Sequence, residues 1–126
     1  MLFDSNIVIY AADPGHGSLR DWMLDQSPAV SAITYIEVFG FPGITTGEER
    51  ALRAVFAALD VLPVTDAVIE QAAALRRQRR MSLGDAVVAA TAVVHRLELA
   101  TRNVADFRWV AGLTVVDPFD DSPPAP

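Results

Sequence analysis

Short apolar runs that alternate with helical patterns constrain the fold of this chain more than any other feature. Leu2-Phe3 and Ala29-Val30-Ser31 are each followed by a segment with helical spacing of apolar residues. Three further short apolar runs follow, at 61–64, 97–100 and 113–116. Because strands separated by helices form βαβ units, we predict an α/β protein whose parallel sheet is covered by helices on both faces.

The predicted helices span about 6–12, from Thr34 onward, 46–59, from Thr65 onward, and 82–96. Capping-box spacing favours helix starts at Thr46 with Glu49 and at Ser82 with Asp85. Thr34 and Glu37 have the same spacing. Proline at position 63 confines the predicted strand at 61–64 to an edge of the sheet. Proline has no backbone N–H, so it cannot donate the hydrogen bond that a central strand needs.

Composition indicates an ordinary globular domain, with 52% hydrophobic and 21% charged residues in 126. We predict a single domain over residues 1–118 and a disordered, proline-rich tail over 119–126. The absence of cysteine excludes Cys-ligated zinc. The N-terminus has no basic n-region, and no apolar run is long enough to span a bilayer, so we expect a soluble cytoplasmic protein that does not bind a membrane.

The charge of the chain gives two opposing indications about nucleic acid. A net charge of −6 opposes binding to phosphate. All ten basic residues are arginine, the better fork for phosphate, and four of them lie in the run 76–80. This run is consistent with contacts to an RNA backbone, and equally with the preference of a helix C-terminus for cations.

Four carboxylates follow predicted strands or begin the next helix: Asp4, Glu37, Asp85 and Asp106. Each taken singly has a structural explanation as a helix cap or a turn residue. In open α/β sheets, however, such positions meet at the carboxyl edge, where ligands bind. Clustering carboxylates is costly because each raises the pKa of the others, and hard divalent cations explain why such a cluster exists.

Four segments at these positions resemble the PIN-domain family and, within it, the VapC-type toxins of toxin–antitoxin pairs. The resemblance covers nearly the whole chain, from Asp4 to about Pro118. The segments are Phe3-Asp4-Ser5-Asn6-Ile7-Val8-Ile9-Tyr10, Ile33-Thr34-Tyr35-Ile36-Glu37, Ser82-Leu83-Gly84-Asp85-Ala86-Val87-Val88-Ala89-Ala90-Thr91-Ala92 and Thr101-Arg102-Asn103-Val104-Ala105-Asp106-Phe107.

This resemblance implies a three-layer α/β/α fold with a central parallel sheet of about four to five strands. It also implies an endoribonuclease dependent on Mg²⁺ or Mn²⁺, in which a metal-activated water attacks the scissile phosphate and leaves a 5′-phosphate and a 3′-hydroxyl. Asp4, Glu37 and Asp85 match the family's acids, and either Asp106 or Asn103 completes the set. We expect Asp4, Asp85 and Asp106 to bind metal, and Glu37 to bind metal through water or to orient the nucleophile.

Other residues are assigned supporting roles or remain open. Ser5 is expected to supply a hydroxyl, Asn6 to hold a loop after Asp4, and Thr101 and Asn103 to support the site. We expect both histidines, His16 and His95, to be surface residues. Trp22 and Trp109 could stack a base, although a core or dimer-interface role is favoured. The apolar segment 39–44 is either a packed loop or an interface surface. The candidates for contacts to RNA are Arg76, Arg77, Arg79, Arg80 and Arg102.

The resemblance further implies a cognate antitoxin, and a homodimer or a toxin–antitoxin hetero-oligomer. The alternative is a non-catalytic PIN-like module for protein interaction or RNA binding, which would have no need to retain all the acids. A phosphoacceptor domain of the receiver type is excluded because its site requires a lysine, and this chain has none. A phosphatase of the Asp-x-Asp type is excluded because Ser5 and Asn6 follow Asp4.

Overall fold

A parallel five-stranded sheet lies at the centre of the computed structural model, which describes residues 1–119. The strands are β1 (Leu2–Phe3), β2 (Ala29–Ser31), β3 (Asp60–Leu62), β4 (Leu99–Ala100) and β5 (Val115–Val116). Their order is β3-β2-β1-β4-β5, and every neighbouring pair is parallel. The predicted α/β class and strand number are confirmed. β3 lies at an edge of the sheet as predicted, although it ends at Leu62 and Pro63 lies outside it.

Helices connect successive strands. They are α1 (Ser5–Ala12), α2 (Gly17–Leu24), α3 (Ala32–Phe39), α4 (Thr46–Phe56), α5 (Asp66–Gln78), α6 (Leu83–His95) and α7 (Val104–Phe107), with a 3₁₀ turn at Pro14–His16. Among the helices described for residues 1–119, none combines the length and the apolarity needed to cross a membrane.

Two hydrophobic clusters, one on each face of the sheet, produce the three layers. The first joins Leu2 and Leu99 to α5 and α6, whose residues 86–90 and 92 are buried. The second joins Phe3 and Val30 to α1, α2 and α4. Alternate strand residues thus face opposite helical layers, as the pleat requires, and the sheet is covered on both faces as predicted.

Two predicted helix starts are wrong by a short distance. The hydroxyl of Ser31 accepts from the backbone N–H of Ile33 and caps α3, so Thr34 lies inside the helix, fully buried. The capping box of α4 joins Thr45 and Glu48, one residue before the predicted pair. In both places several residues able to cap a helix lie close together, and the chain geometry selects among them.

Two helices were not predicted. α2 follows a proline–glycine turn and carries only one buried residue, Met23, so its apolar pattern is weak. α7 is a single turn of four residues, too short for a periodic signal. Of the predicted tail at 119–126, only Phe119 lies within the described residues. The division into a domain and a tail stays a prediction.

Candidate catalytic centre

Asp4 is a buried carboxylate held between the ends of two neighbouring strands. It follows β1, forms the N-cap of α1, and is only 7% exposed. Its Oδ1 accepts from the backbone N–H of Ser5 at 2.7 Å, and its Oδ2 accepts from the hydroxyl of Thr101 at 2.9 Å. A carboxylate offers about four lone-pair sites. These two hydrogen bonds therefore fix Asp4 and leave acceptor capacity for another ligand.

Thr101 extends this arrangement towards α7. It is fully buried directly after β4, and its oxygen also accepts from the backbone N–H of Asn103 at 3.0 Å. Asn103 is the exposed N-cap residue of α7, without a side-chain capping bond. Asp106 follows in α7, also exposed. The same threonine therefore supports Asp4 and sets the start of the turn that carries the fourth acid.

Glu37 lies on the exposed side of α3 and reaches across to two other helices. Its Oε1 accepts from the hydroxyl of Ser5 at 3.0 Å. A Cβ added to Gly84 would lie 2.8 Å from its Oε2, closer than real Cβ contacts. The Glu37 carboxylate therefore occupies the space in which residue 84 would carry a side chain. Sequence reasoning missed this role of Gly84, although a glycine in the first turn of a helix is an available signal.

The carboxyl of Asp85 is affected by the charges of the three other acids. Asp85 is half-buried in the first turn of α6, and its backbone N–H donates to the hydroxyl of Ser82 at 3.1 Å. Burial raises the pKa of its carboxyl, and the negative charges of Asp4, Asp106 and Glu37 raise this pKa further. A side-chain hydrogen bond with Ser82 opposes the rise. The charges of Asp4, Asp106 and Glu37 therefore act on the carboxyl of Asp85, and a single site formed by all four acids stays a prediction.

The convergence stops short of a closed metal cage. Within residues 1–119, no group of three Asp, Glu or His side chains lies close enough to hold a metal ion as the side chains stand. Mg²⁺ does not require such a cage, because it keeps several waters and is commonly held by one or two carboxylates together with a substrate phosphate. Its preference for oxygen ligands matches Asp4 and Asp85, whose accumulated charge a cation would neutralise. The donor set therefore fits a hard divalent cation.

A cavity of about 260 Å³ adjoins this region and combines both signs of charge. The residues that line it include Asp85 and Asp106 together with Arg79 and Arg80. Trp109, predicted to be a core residue or an interface residue, forms part of the wall and packs against the buried core.

The remaining arginine candidates differ in their contacts. The Nε–H of Arg76 donates to the backbone carbonyl of Met81 at 3.3 Å. The guanidinium of Arg102 lies 4.4 Å from the ring centroid of Phe119 and 5.6 Å from that of Tyr10. Arg77 lies on the same helix as Arg76 and is exposed. All four arginines of the run line one cavity of about 600 Å³, and only Arg79 and Arg80 also line the cavity that includes Asp85 and Asp106.

Two predicted roles around the centre are corrected. No loop follows Asp4, because α1 begins at Ser5, and Asn6 is an exposed residue of the first helical turn. His16 is only partly exposed, with a buried Nδ1, because it packs against Tyr10 and Phe119. His95 is exposed, as predicted.

Two further predictions concern aromatic residues. Trp22 packs edge-on against the buried Phe3, with ring centroids 5.9 Å apart, which favours a core role over base stacking. In the segment 39–44, Phe39 packs against Tyr35 and Phe56, whereas Phe41 is 60% exposed. The segment is therefore partly a packed loop, and partly an exposed apolar surface.

Comparison with known proteins agrees with this architecture. The sequence profile of the PIN domain matches residues 1–113. Ribonuclease VapC10 from Mycobacterium tuberculosis is 35% identical over 116 residues, which cover 85% of each protein. A toxin–antitoxin complex from Klebsiella pneumoniae contains a chain that is 33% identical, with a TM-score of 0.76 over 94% of this chain and 98% of that one.

A more distant structure has the same fold. The structure of VapBC2 from Rickettsia felis, bound to a DNA fragment from the promoter, contains a chain that is 17% identical. It superposes with a TM-score of 0.77 over 91% of this chain and 96% of that one. The sequence match, the parallel sheet and the order of the acidic segments agree, and the chain therefore belongs to the PIN-domain family, in its VapC-type branch.

Proposed function

We propose that this chain is a divalent-metal-dependent endoribonuclease and the toxin of a toxin–antitoxin pair. The observation that supports this most strongly is the electrostatic coupling of Asp85 to Asp4, Asp106 and Glu37 at the carboxyl edge of the sheet. A stable fold gains nothing from gathering these charges, since each is costly to the others. The relative named as a ribonuclease, with 35% identity over most of both chains, supports RNA as the substrate.

Asp4, Asp85 and Asp106 are the residues that would hold Mg²⁺ or Mn²⁺. Asp4 is held rigidly by Ser5 and Thr101, so its carboxylate is already oriented before any ligand binds. When bound, the cation supplies a water of lowered pKa and stabilises the negative charge that develops on the phosphate. Asp106 is preferred to its neutral neighbour Asn103 because its charge already acts on Asp85.

Glu37 is proposed to orient the attacking water. Its Oε1 accepts from Ser5, while Gly84 leaves room for its Oε2 beside the first turn of α6. This position keeps one carboxylate oxygen free to accept a proton from water while the other is fixed. The family resemblance implies that water attacks phosphorus and the 3′-oxygen leaves, which gives a 5′-phosphate and a 3′-hydroxyl. This reaction requires no attack by the 2′-hydroxyl.

The proposed partner of this chain is an antitoxin protein. A chain 33% identical to this one occurs in a structure described as a toxin–antitoxin complex. We therefore propose that a cognate antitoxin binds this chain and inhibits its cleavage of RNA in the cytoplasm. The assembly is a homodimer or a toxin–antitoxin hetero-oligomer, and light scattering of the chain alone and of its complex distinguishes the two states.

The experiment that tests the proposed activity is RNA cleavage by the purified chain with Mg²⁺ or Mn²⁺. Asp4→Asn and Asp85→Asn should abolish cleavage, and EDTA should do so for the native chain. Asp21→Asn is the matched control, because it removes the same charge from an exposed position on α2 and should retain activity. Cleavage that persists in EDTA contradicts metal dependence. RNA binding without any cleavage supports the alternative, a non-catalytic PIN-like module.

A further inference from the structure

We propose that the cavity between the end of α5 and α7 binds an RNA phosphate next to the scissile one. Arg79 and Arg80 are its ligands, and Trp109 is the positioning residue for Arg79. This inference rests on the proposed function and adds to it a second point of contact with the substrate, outside the acidic residues.

The cavity adjoins two of the proposed metal-binding acids. Its lining includes Asp85 and Asp106 together with Arg79 and Arg80, so the arginines share one space with two of the acids. Its volume of about 260 Å³ admits a phosphate group with several waters, since a water occupies about 30 Å³ of liquid. A phosphodiester chain with one phosphate at the acids therefore has a neighbouring phosphate within reach of the guanidinium groups.

Trp109 contacts both Asp106 and Arg79. Its indole Nε1–H donates to the backbone carbonyl of Asp106 at 2.9 Å, which fixes the ring to the turn that bears the acid. The guanidinium of Arg79 lies 5.6 Å from the centroid of this ring. Cation–π contact restrains an arginine while leaving its N–H donors available. Arg79 is thereby held in a fixed relation to α7, although it lies just beyond the end of α5.

The positive charges of Arg79 and Arg80 are available to bind a ligand. Within residues 1–119, Arg53 forms an ion pair with Glu49, whereas neither Arg79 nor Arg80 forms one. Both are exposed, despite carboxylates in the same cavity. A guanidinium binds phosphate through two parallel charge-assisted hydrogen bonds, and RNA supplies such groups at regular spacing. An RNA backbone therefore fits the arginine side of the cavity, while a cation fits its acidic side.

An arginine on another helix provides a matched control. Arg50 is exposed on α4 and does not line this cavity. Replacement of either Arg50 or Arg79 by glutamine removes one positive charge from the chain. A general electrostatic attraction of RNA predicts equal effects for the two variants, and a defined subsite predicts unequal ones.

The test measures binding of a short single-stranded RNA in the Asp4→Asn background, where cleavage is prevented, and KM for cleavage in the native background. Arg79→Gln and Arg80→Gln should each weaken binding about tenfold, the loss of a charge-assisted phosphate contact. Each should also reduce the salt slope of binding by about 0.7. Arg50→Gln should change binding less than about twofold, as expected of an exposed charge outside the subsite.

Trp109→Phe tests the positioning role, because it keeps an aromatic ring and removes the donor to Asp106. It should raise KM with little change in kcat, and it should have no further effect in an Arg79→Gln background. Equal effects of Arg50→Gln and Arg79→Gln overturn the subsite while metal-dependent cleavage stands. Arg79-dependent RNA binding without metal-dependent cleavage supports the subsite and contradicts the proposed function. Native chain that binds no RNA overturns both.

Discussion

The hydroxyl of Thr101 donates to Oδ2 of Asp4 at 2.9 Å, joining two residues that lie 97 positions apart in the chain. Asp4 directly follows β1 and Thr101 directly follows β4, and these strands are direct neighbours in the sheet. The bond therefore couples the register of the sheet centre to the orientation of a candidate metal ligand. A change at Thr101 should affect stability and activity together.

Thr101→Val should reduce the free energy of unfolding by about 1–3 kcal/mol, because a buried carboxylate oxygen loses its donor at nearly constant side-chain volume. Thr101→Ser retains the hydroxyl and should recover most of the activity. Urea denaturation and RNA cleavage measured side by side test this. Full activity in Thr101→Val would contradict an orienting role for the bond.

Asp85→Asn should stabilise the protein in the absence of divalent cations. The pKa of Asp85 is raised in the folded state, so the folded chain retains a proton that the unfolded chain loses, and stability falls as pH rises through the raised pKa. The variant has no such loss, so its advantage should be absent below the unfolded pKa and appear as the pH rises.

Thermal unfolding as a function of pH, in EDTA, measures this difference. Asp66→Asn, in the first turn of α5, is the control, because it loses a favourable helix-dipole interaction without relieving a cluster of charges. Added Mn²⁺ should reverse the order by stabilising the native chain more than Asp85→Asn. Equal stability of native chain and Asp85→Asn at all pH values would show that the carboxylates are not coupled.

Gly84→Ala should separate activity from stability. The new Cβ would meet Oε2 of Glu37 at 2.8 Å, so the flexible carboxylate must move and its contact with Ser5 is disturbed. Gly47→Ala is the control at the same position of α4, where nothing lies within 4 Å of the new Cβ. Alanine should stabilise that helix by up to about 1 kcal/mol.

Cleavage rates and melting temperatures of the two glycine variants test the role of Glu37. We expect Gly47→Ala to retain activity and Gly84→Ala to lose most of it while remaining folded. If Gly84→Ala cleaves RNA at the native rate, Glu37 does not require this position.

The two histidines should be dispensable for chemistry. His95 is exposed near the end of α6, and His16 packs among aromatic rings in the 3₁₀ turn. His95→Gln and His16→Gln should therefore retain cleavage, with a modest loss of stability for His16→Gln. Analysis of the RNA ends provides the measurement, since a 5′-phosphate indicates attack by water. A 2′,3′-cyclic phosphate would instead indicate attack by the 2′-hydroxyl.

The fold was largely predictable because its strands are short apolar runs that alternate with segments of helical spacing. The acids were predicted by asking which residues follow strands or begin the next helix, and the charge of Asp4 does act on Asp85. The exact caps were not predictable, because Ser31 and Thr34 are both able to cap α3 and only the path of the chain selects Ser31.

Long-range side-chain pairings also lay beyond sequence reasoning. The contact between Arg79 and Trp109 depends on how α5 and α7 pack, and no local pattern encodes that distance. Gly84 could have been questioned as an unfavourable residue in a helix, but its partner, Glu37, belongs to another helix. Local propensity thus identifies an unusual residue, and tertiary packing supplies the reason for it.

The dependence of RNA cleavage on Mn²⁺ concentration is the decisive measurement for a metal-dependent ribonuclease. After treatment with EDTA, the native chain should be inactive, and its single-turnover rate should rise to saturation as Mn²⁺ is restored. Asp85→Asn should lower the saturated rate by about 10²–10³-fold, as expected when a group that stabilises transition-state charge is lost. Cleavage that is independent of metal, or equal in the native chain and Asp85→Asn, would contradict the account.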